Sequence, residues 1–160
     1  MSLDSFLAWL AGQSWAQSIS EGQLFPFFES LHIVGLAVLL GSIGILDLRL
    51  LNLTGRSQRV TTLSKAIIPW TWVGFGLAVV SGLLIFAGGA EHYARSPAFQ
   101  AKMALLLLAG ANMAAFQIWT WKSVAQWDVG APSMGARIAG GLSLLFWCGV
   151  VFAARMIAFT

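Results

Sequence analysis

With 160 residues the chain has room for one domain, and 58% of it is hydrophobic while only 9% is charged. A soluble domain carries about a quarter of its residues as Asp, Glu, Lys and Arg, so this composition excludes a water-covered globule and points to an integral membrane protein. The net charge of +3 lies beside apolar stretches, which makes it an orientation and lipid-contact signal and excludes a nucleic-acid partner, while the single cysteine, Cys148, excludes an internal disulfide and a cysteine-rich metal framework.

The chain opens with SLDSFLAWLAGQSWAQSI, where Leu3, Phe6, Leu7 and Leu10 recur at helical spacing and Trp9 and Trp15 add interfacial aromatics. The stretch is too short and too polar to span, and it lacks the basic start and long apolar run of a signal peptide. It predicts a short amphipathic helix over residues 2–19, lying along the membrane surface. Four later stretches, about 26–53, 67–87, 99–119 and 136–159, are apolar enough to cross a bilayer, which takes about 20 residues. Pro26 suits a first helical turn and Gly55 a C-terminal stop; Gly88-Gly89 closes the second stretch and Pro97 precedes the third. Lipid tolerates no open sheet edge. The fold class is therefore an all-α integral membrane protein, a bundle of four transmembrane helices.

Small residues predict close helix approach. They are Gly74, Ala78 and Gly82 in the second span, and Ala37, Gly41 and Gly44 on one flank of the first, with Gly35 and Ser42 on another. Ala104, Ala111 and Ala115 mark the third span, and Ala136, Gly140 and Gly141 the fourth. The contacts they make fall within one bundle or between copies in a homo-oligomer or larger complex. Basic residues set the direction: Arg49, Arg56, Arg59 and Lys65 around the first loop, with Lys122 and Arg137 in the third, outweigh Arg95 and Lys102 in the second. Both termini then face outward from a bacterial inner membrane.

That orientation places Glu29, His32, Glu91, His92, Arg95, Lys102 and Arg155 in an outer layer, and Asp47, Arg49, Arg56, Arg59, Lys65, Lys122, Asp128 and Arg137 in an inner one. No relay of carboxylates crosses the bilayer, which argues against a proton pump or ion-coupled transporter. Glu29 and His32 are three residues apart, so they share a helix face and can hydrogen-bond. His32 is the candidate ligand for haem or copper, or else an interfacial histidine satisfied by a neighbour. A second haem ligand is open between Met113 and a folded-back His92. Arg155 is expected to pair with Glu29 or with a haem propionate. Arg49 is expected to snorkel to the interface, with Asp47 bonded to Lys65, Arg137 or backbone, and Asn112 to bond across helices. Trp70, Trp72, Trp119, Trp121 and Trp127 suit an inner aromatic belt. No nucleophile–base pair, phosphate loop or pair of histidines one turn apart is present, so catalysis has no basis here.

The stretches ESLHIVGLAVLLGSIGILDLRLLNL and SGLLIFAGGAEHYARSPAFQAKMALLLLAGANMAAF resemble a family of small bacterial inner-membrane proteins of unknown function. The features that carry the resemblance are His32, Asp47-Leu48-Arg49, Tyr93, Pro97-Ala98-Phe99, Lys102 and Asn112, spread over roughly residues 25–120. More distantly, the first-span histidine and the lysine opening the third span are similar to the copper-resistance D-type membrane domain and to the haem-containing membrane protoporphyrinogen oxidase. That oxidase has a third-span histidine where this chain offers Asn112 or Met113, and relatives with Phe-His differ from Phe116-Gln117 here. His32 is the one ligand the resemblance carries over.

Three functions are compatible with these residues. One is a haem b protein moving electrons between quinone and a periplasmic partner. Another is a structural or accessory subunit without cofactor. The third is a copper-handling protein using His32, His92 and methionines.

Overall fold

The computed structural model describes residues 2–20, 22 and 24–159, and among them there is helix and no strand. Four helices are long and apolar enough to cross a membrane, which marks a multi-pass membrane protein. In chain order the α-helices are α1 (Leu3–Ala11), α2 (Ser14–Ser20), α3 (Leu24–Leu50), α4 (Val60–Gly88), α5 (Ala90–Arg95), α6 (Pro97–Ala115) and α7 (Met134–Met156). A π-helical turn at Phe116–Thr120 and a 3-10 segment at Trp121–Gln126 prolong α6.

The expected surface helix is two short ones, broken at Gly12-Gln13. They pack against the C-terminal end of α4 and against α5, burying Leu7, Ala16 and Ile19. The helix α5 lies where only a loop was expected, held by Phe86, Tyr93 and Phe99, whose ring centroids are 5.3–6.3 Å apart.

The tightest pairing joins α3 to α4. It uses the Gly35 and Ser42 flank of α3: a Cβ on Gly35 would lie 2.7 Å from the Ala78 amide nitrogen, and Thr71 donates to the Ser42 hydroxyl at 2.9 Å. The other small-residue flank is not packed, since a Cβ on Gly41 or Gly44 would meet no atom within 4 Å. Helix α7 approaches α3 at Gly140, where a Cβ would stand 3.1 Å from the Asp47 carbonyl. Helix α6 joins α7 through the Asn112 amide, which donates to the Ala139 carbonyl at 2.9 Å, the interhelical bond its sequence position suggested.

Helix α3 stops five residues before Gly55. Asn52, in the left-handed region at φ 61°, ends it: the Asn52 and Leu53 amides donate to the Arg49 and Leu48 carbonyls. This is a Schellman ending, and asparagine tolerates the conformation because its short amide can bond locally.

Helix α4 begins seven residues before the Ile67 expected, because Asp128 caps it from a distant loop. The Asp128 backbone carbonyl takes the Val60 amide at 3.1 Å, and its carboxylate takes the Thr61 amide at 2.8 Å and hydroxyl at 2.9 Å. Trp127 is thereby drawn into a core cluster with Leu50, Val60, Phe116 and Ala136, instead of the aromatic belt that the exposed Trp70, Trp72 and Trp119 still fit.

The Thr61 amide, then the Thr61 hydroxyl and Arg59, hold the Asp128 carboxyl below its ordinary value. A depressed folded value stabilises fully above the unfolded value of about 3.9 and is lost as pH falls through the folded one. Asp128→Ala should therefore melt at a lower temperature than the wild type by the same margin at about pH 5 and pH 7, and that margin should shrink towards about pH 3. Thermal unfolding in detergent across that range checks this; a margin undiminished in acid would mean the charge is not what holds the cap.

Candidate functional site

The antiparallel order of the spans brings the start of α3, the end of α4, α5, the start of α6 and the end of α7 to one end of the bundle. His32 is the best-held polar side chain there. It is half-buried, and its Nδ1 lies 2.8 Å from the Ala78 carbonyl oxygen and 3.2 Å from the Ser81 hydroxyl. A carbonyl only accepts, so Nδ1 carries a proton, and whenever the ring is neutral its lone pair lies on Nε2. Ser81 is fully buried and donates its own proton to the Leu77 carbonyl, which leaves its oxygen free to share the His32 proton.

Gly82 gives the ring its place. A Cβ there would stand 2.9 Å from His32 Cε1 and 3.2 Å from Nδ1, so any side chain would displace the imidazole. The sequence marked Gly82 as a packing residue and did not mark Ser81 at all. The signal was present: a serine beside the last member of the Gly74, Ala78, Gly82 stripe, one helical turn beyond Ala78.

The expected Glu29–His32 hydrogen bond does not form, because the imidazole is committed to α4. Glu29 is exposed instead, and its carboxylate acts on Tyr93. Burial first, and Glu29 second, push the Tyr93 phenol above its ordinary value, so it is a neutral donor at physiological pH. Lys102 of α6 is half-buried and close enough to His32 to act on it electrostatically. The ion pairs among the described residues are Arg59–Asp128 and Arg95–Asp4, both at 3.8 Å, so neither Lys102 nor Glu29 belongs to one.

The remaining candidates lie elsewhere. Arg155 makes no ion pair with Glu29; its guanidinium carbon is 5.3 Å from the centre of the Phe159 ring. His92 is exposed on α5, its ring 5.6 Å from that of Tyr93. Met113 is 47% exposed and eleven residues beyond Lys102, about 16 Å deeper along the helix at 1.5 Å per residue. Among the described residues no three His, Cys, Asp or Glu side chains converge as a metal site would need.

At the opposite end Arg49 is fully buried and does not snorkel. Its Nε donates to the Gln58 carbonyl and its Nη2 to the Gly130 carbonyl, each at 3.1 Å, tying two loops beneath α3. Asp47 is buried beside Ser143 of α7, rather than against Lys65 or Arg137.

Residues 5–160 match the model of DUF6644, a family of unknown function. The chain belongs to DUF6644. No curated protein and no solved structure matches it. The family model takes in both the His32 end and the Arg49 end, so both belong to the DUF6644 unit. Membership brings no activity with it, and the comparisons lend no support to the more distant likeness to copper-resistance D-type or oxidase domains.

Proposed function

We propose that this DUF6644 protein holds a haem b at the His32 end of its bundle and serves electron transfer there, with both termini and that end facing outward from a bacterial inner membrane. One observation carries the reading. The Nδ1–H of His32 is fixed on the Ala78 carbonyl, so in the neutral ring Nε2 is the unprotonated nitrogen, the state a histidine needs to ligate a metal. Second-sphere bonding of this kind sets the ring's orientation and raises its basicity before any ligand arrives.

The donor set fits a haem with one protein ligand. His32 supplies a nitrogen lone pair, and Lys102, with no ion-pair partner among the described residues, supplies a cation for a propionate. Met113 is too deep and His92 is turned to Tyr93, so neither is assigned as a second ligand. When bound, haem b would supply a one-electron couple. The chain's own part is to orient the imidazole, to hold its proton on Nδ1, and to keep one face of the ring dry against Gly82.

The visible spectrum of protein purified from haem-sufficient cells tests this. A Soret band that shifts on reduction and is lost in His32→Ala is expected. Lys102→Gln should keep the band and lose haem faster on dilution. A folded, colourless preparation without iron would refute the reading.

A second reading is favoured by the same hydrogen bond, since it already satisfies His32 within the closest helix pair. Here the protein is an accessory subunit or homo-oligomer without cofactor. Under it the preparation is colourless, and His32→Ala lowers melting temperature or assembly while changing no spectrum.

A further inference from the structure

A cleft of about 560 Å³ opens between α3 and α7, away from the face of α3 that meets α4. Leu40, Ile43 and Gly44 form one wall, and Trp147 and Phe152 stand on the other. The open space at Gly44, where a Cβ would meet no atom within 4 Å, belongs to this cleft. Along α7 the lining runs from Leu144 to Arg155, about 16 Å at 1.5 Å per residue. The lining is apolar for most of that length and ends at Arg155, whose guanidinium joins no carboxylate among the described residues.

An apolar slot with a cation at its end has the polarity of a membrane lipid: hydrocarbon towards the middle, an anion at the boundary. Acyl chains alone gain little by entering, since the surrounding lipid is equally apolar. Selectivity must come from the head group. A guanidinium presents a planar fork that matches phosphate oxygens and is more weakly hydrated than an ammonium. Phe159 beneath the Arg155 guanidinium holds that fork at the end of α7. His32 is absent from the cleft's lining, so the site does not depend on the haem reading.

We propose that the α3–α7 cleft binds one anionic phospholipid, with an acyl chain between Ile43 and Trp147 and the phosphate on Arg155.

Native mass spectrometry of the detergent-purified protein, titrated with phosphatidylglycerol and with phosphatidylcholine of identical chains, tests this. One phosphatidylglycerol per chain should be retained preferentially, by about tenfold, because phosphatidylcholine brings a choline cation that competes for its own phosphate and repels Arg155. Arg155→Gln should abolish the preference and Arg155→Lys should keep part of it. Gly44→Leu, which fills the slot, should lower occupancy by both lipids. Brominated-chain phosphatidylglycerol should quench tryptophan fluorescence less in Trp147→Phe. Equal retention of the two lipids by the wild type, or an undiminished preference in Arg155→Gln, overturns the proposal. So does a lipid-free dimer that persists in the wild type and is lost in Gly44→Leu, because a second copy then fills the cleft.

Discussion

Arg49→Met is expected to lower the stability of the purified protein by on the order of 2–5 kcal/mol, the larger part from the loss of two charge-assisted hydrogen bonds. The side chain is fully buried, and its two bonds reach the Gln58 and Gly130 carbonyls, which belong to separate loops. A hydrogen bond from a charged donor is worth about 1.5–3 kcal/mol, and methionine fills the space without replacing either bond. Gly55, at φ 61°, lies where an added Cβ would stand 3.5 Å from the arginine's Cδ, so the loop is shaped around this side chain. Arg49→Lys should fall between the two, because an ammonium keeps the charge and lacks the fork that reaches both carbonyls. The control is Arg56→Met: Arg56 is exposed and bonds only the Asn52 carbonyl, so its loss should stay within about 0.5 kcal/mol. Thermal unfolding in one detergent ranks the three variants. If Arg49→Met melts no lower than Arg56→Met, the loops hold without the buried guanidinium.

That arginine shows where sequence reasoning stops. The four spans are legible because an apolar run of spanning length has no other stable outcome in lipid than a helix. A charge at the end of such a run has two outcomes, reaching water or being covered, and helical period cannot choose between them. Arg49 is covered because Gly130, eighty-one positions later, lies over it. The start of α4 was missed for the same reason, since the cap on Thr61 comes from Asp128 and Arg59 offers no capping bond of its own. Local spacing put Glu29 and His32 on one face correctly, yet the histidine's partner is forty-six positions away on α4. Small-residue stripes were half legible. They named the Gly74, Ala78, Gly82 face of α4 and offered two flanks of α3, of which only the one with Gly35 and Ser42 is packed.

On that packed face Gly74→Ala should destabilise the protein by about 1–3 kcal/mol, the usual cost of forcing extra volume into a closed contact. A Cβ on Gly74 would lie 2.6 Å from the Leu39 amide nitrogen and 2.8 Å from the Gly35 carbonyl oxygen. Both are backbone atoms, so no rotamer change relieves the clash and the helices must part. Gly76→Ala, two positions on, meets nothing within 4 Å; it should be neutral or gain up to about 1 kcal/mol from helix propensity. The two substitutions add the same methyl to the same helix with opposite sign, which removes detergent and expression effects from the comparison. The seam also carries the His32 bond, because Ala78, its acceptor, follows Gly74 by one turn and touches Gly35. Parting the helices at Gly74 should loosen that bond and let the imidazole proton exchange between nitrogens. Nitrogen-15 spectra of histidine-labelled protein should then show one His32 tautomer in Gly76→Ala and a mixture in Gly74→Ala. Equal melting and a single tautomer in both would mean that α3 and α4 are not held at backbone contact, and the fixed Nε2 lone pair would lose its structural cause.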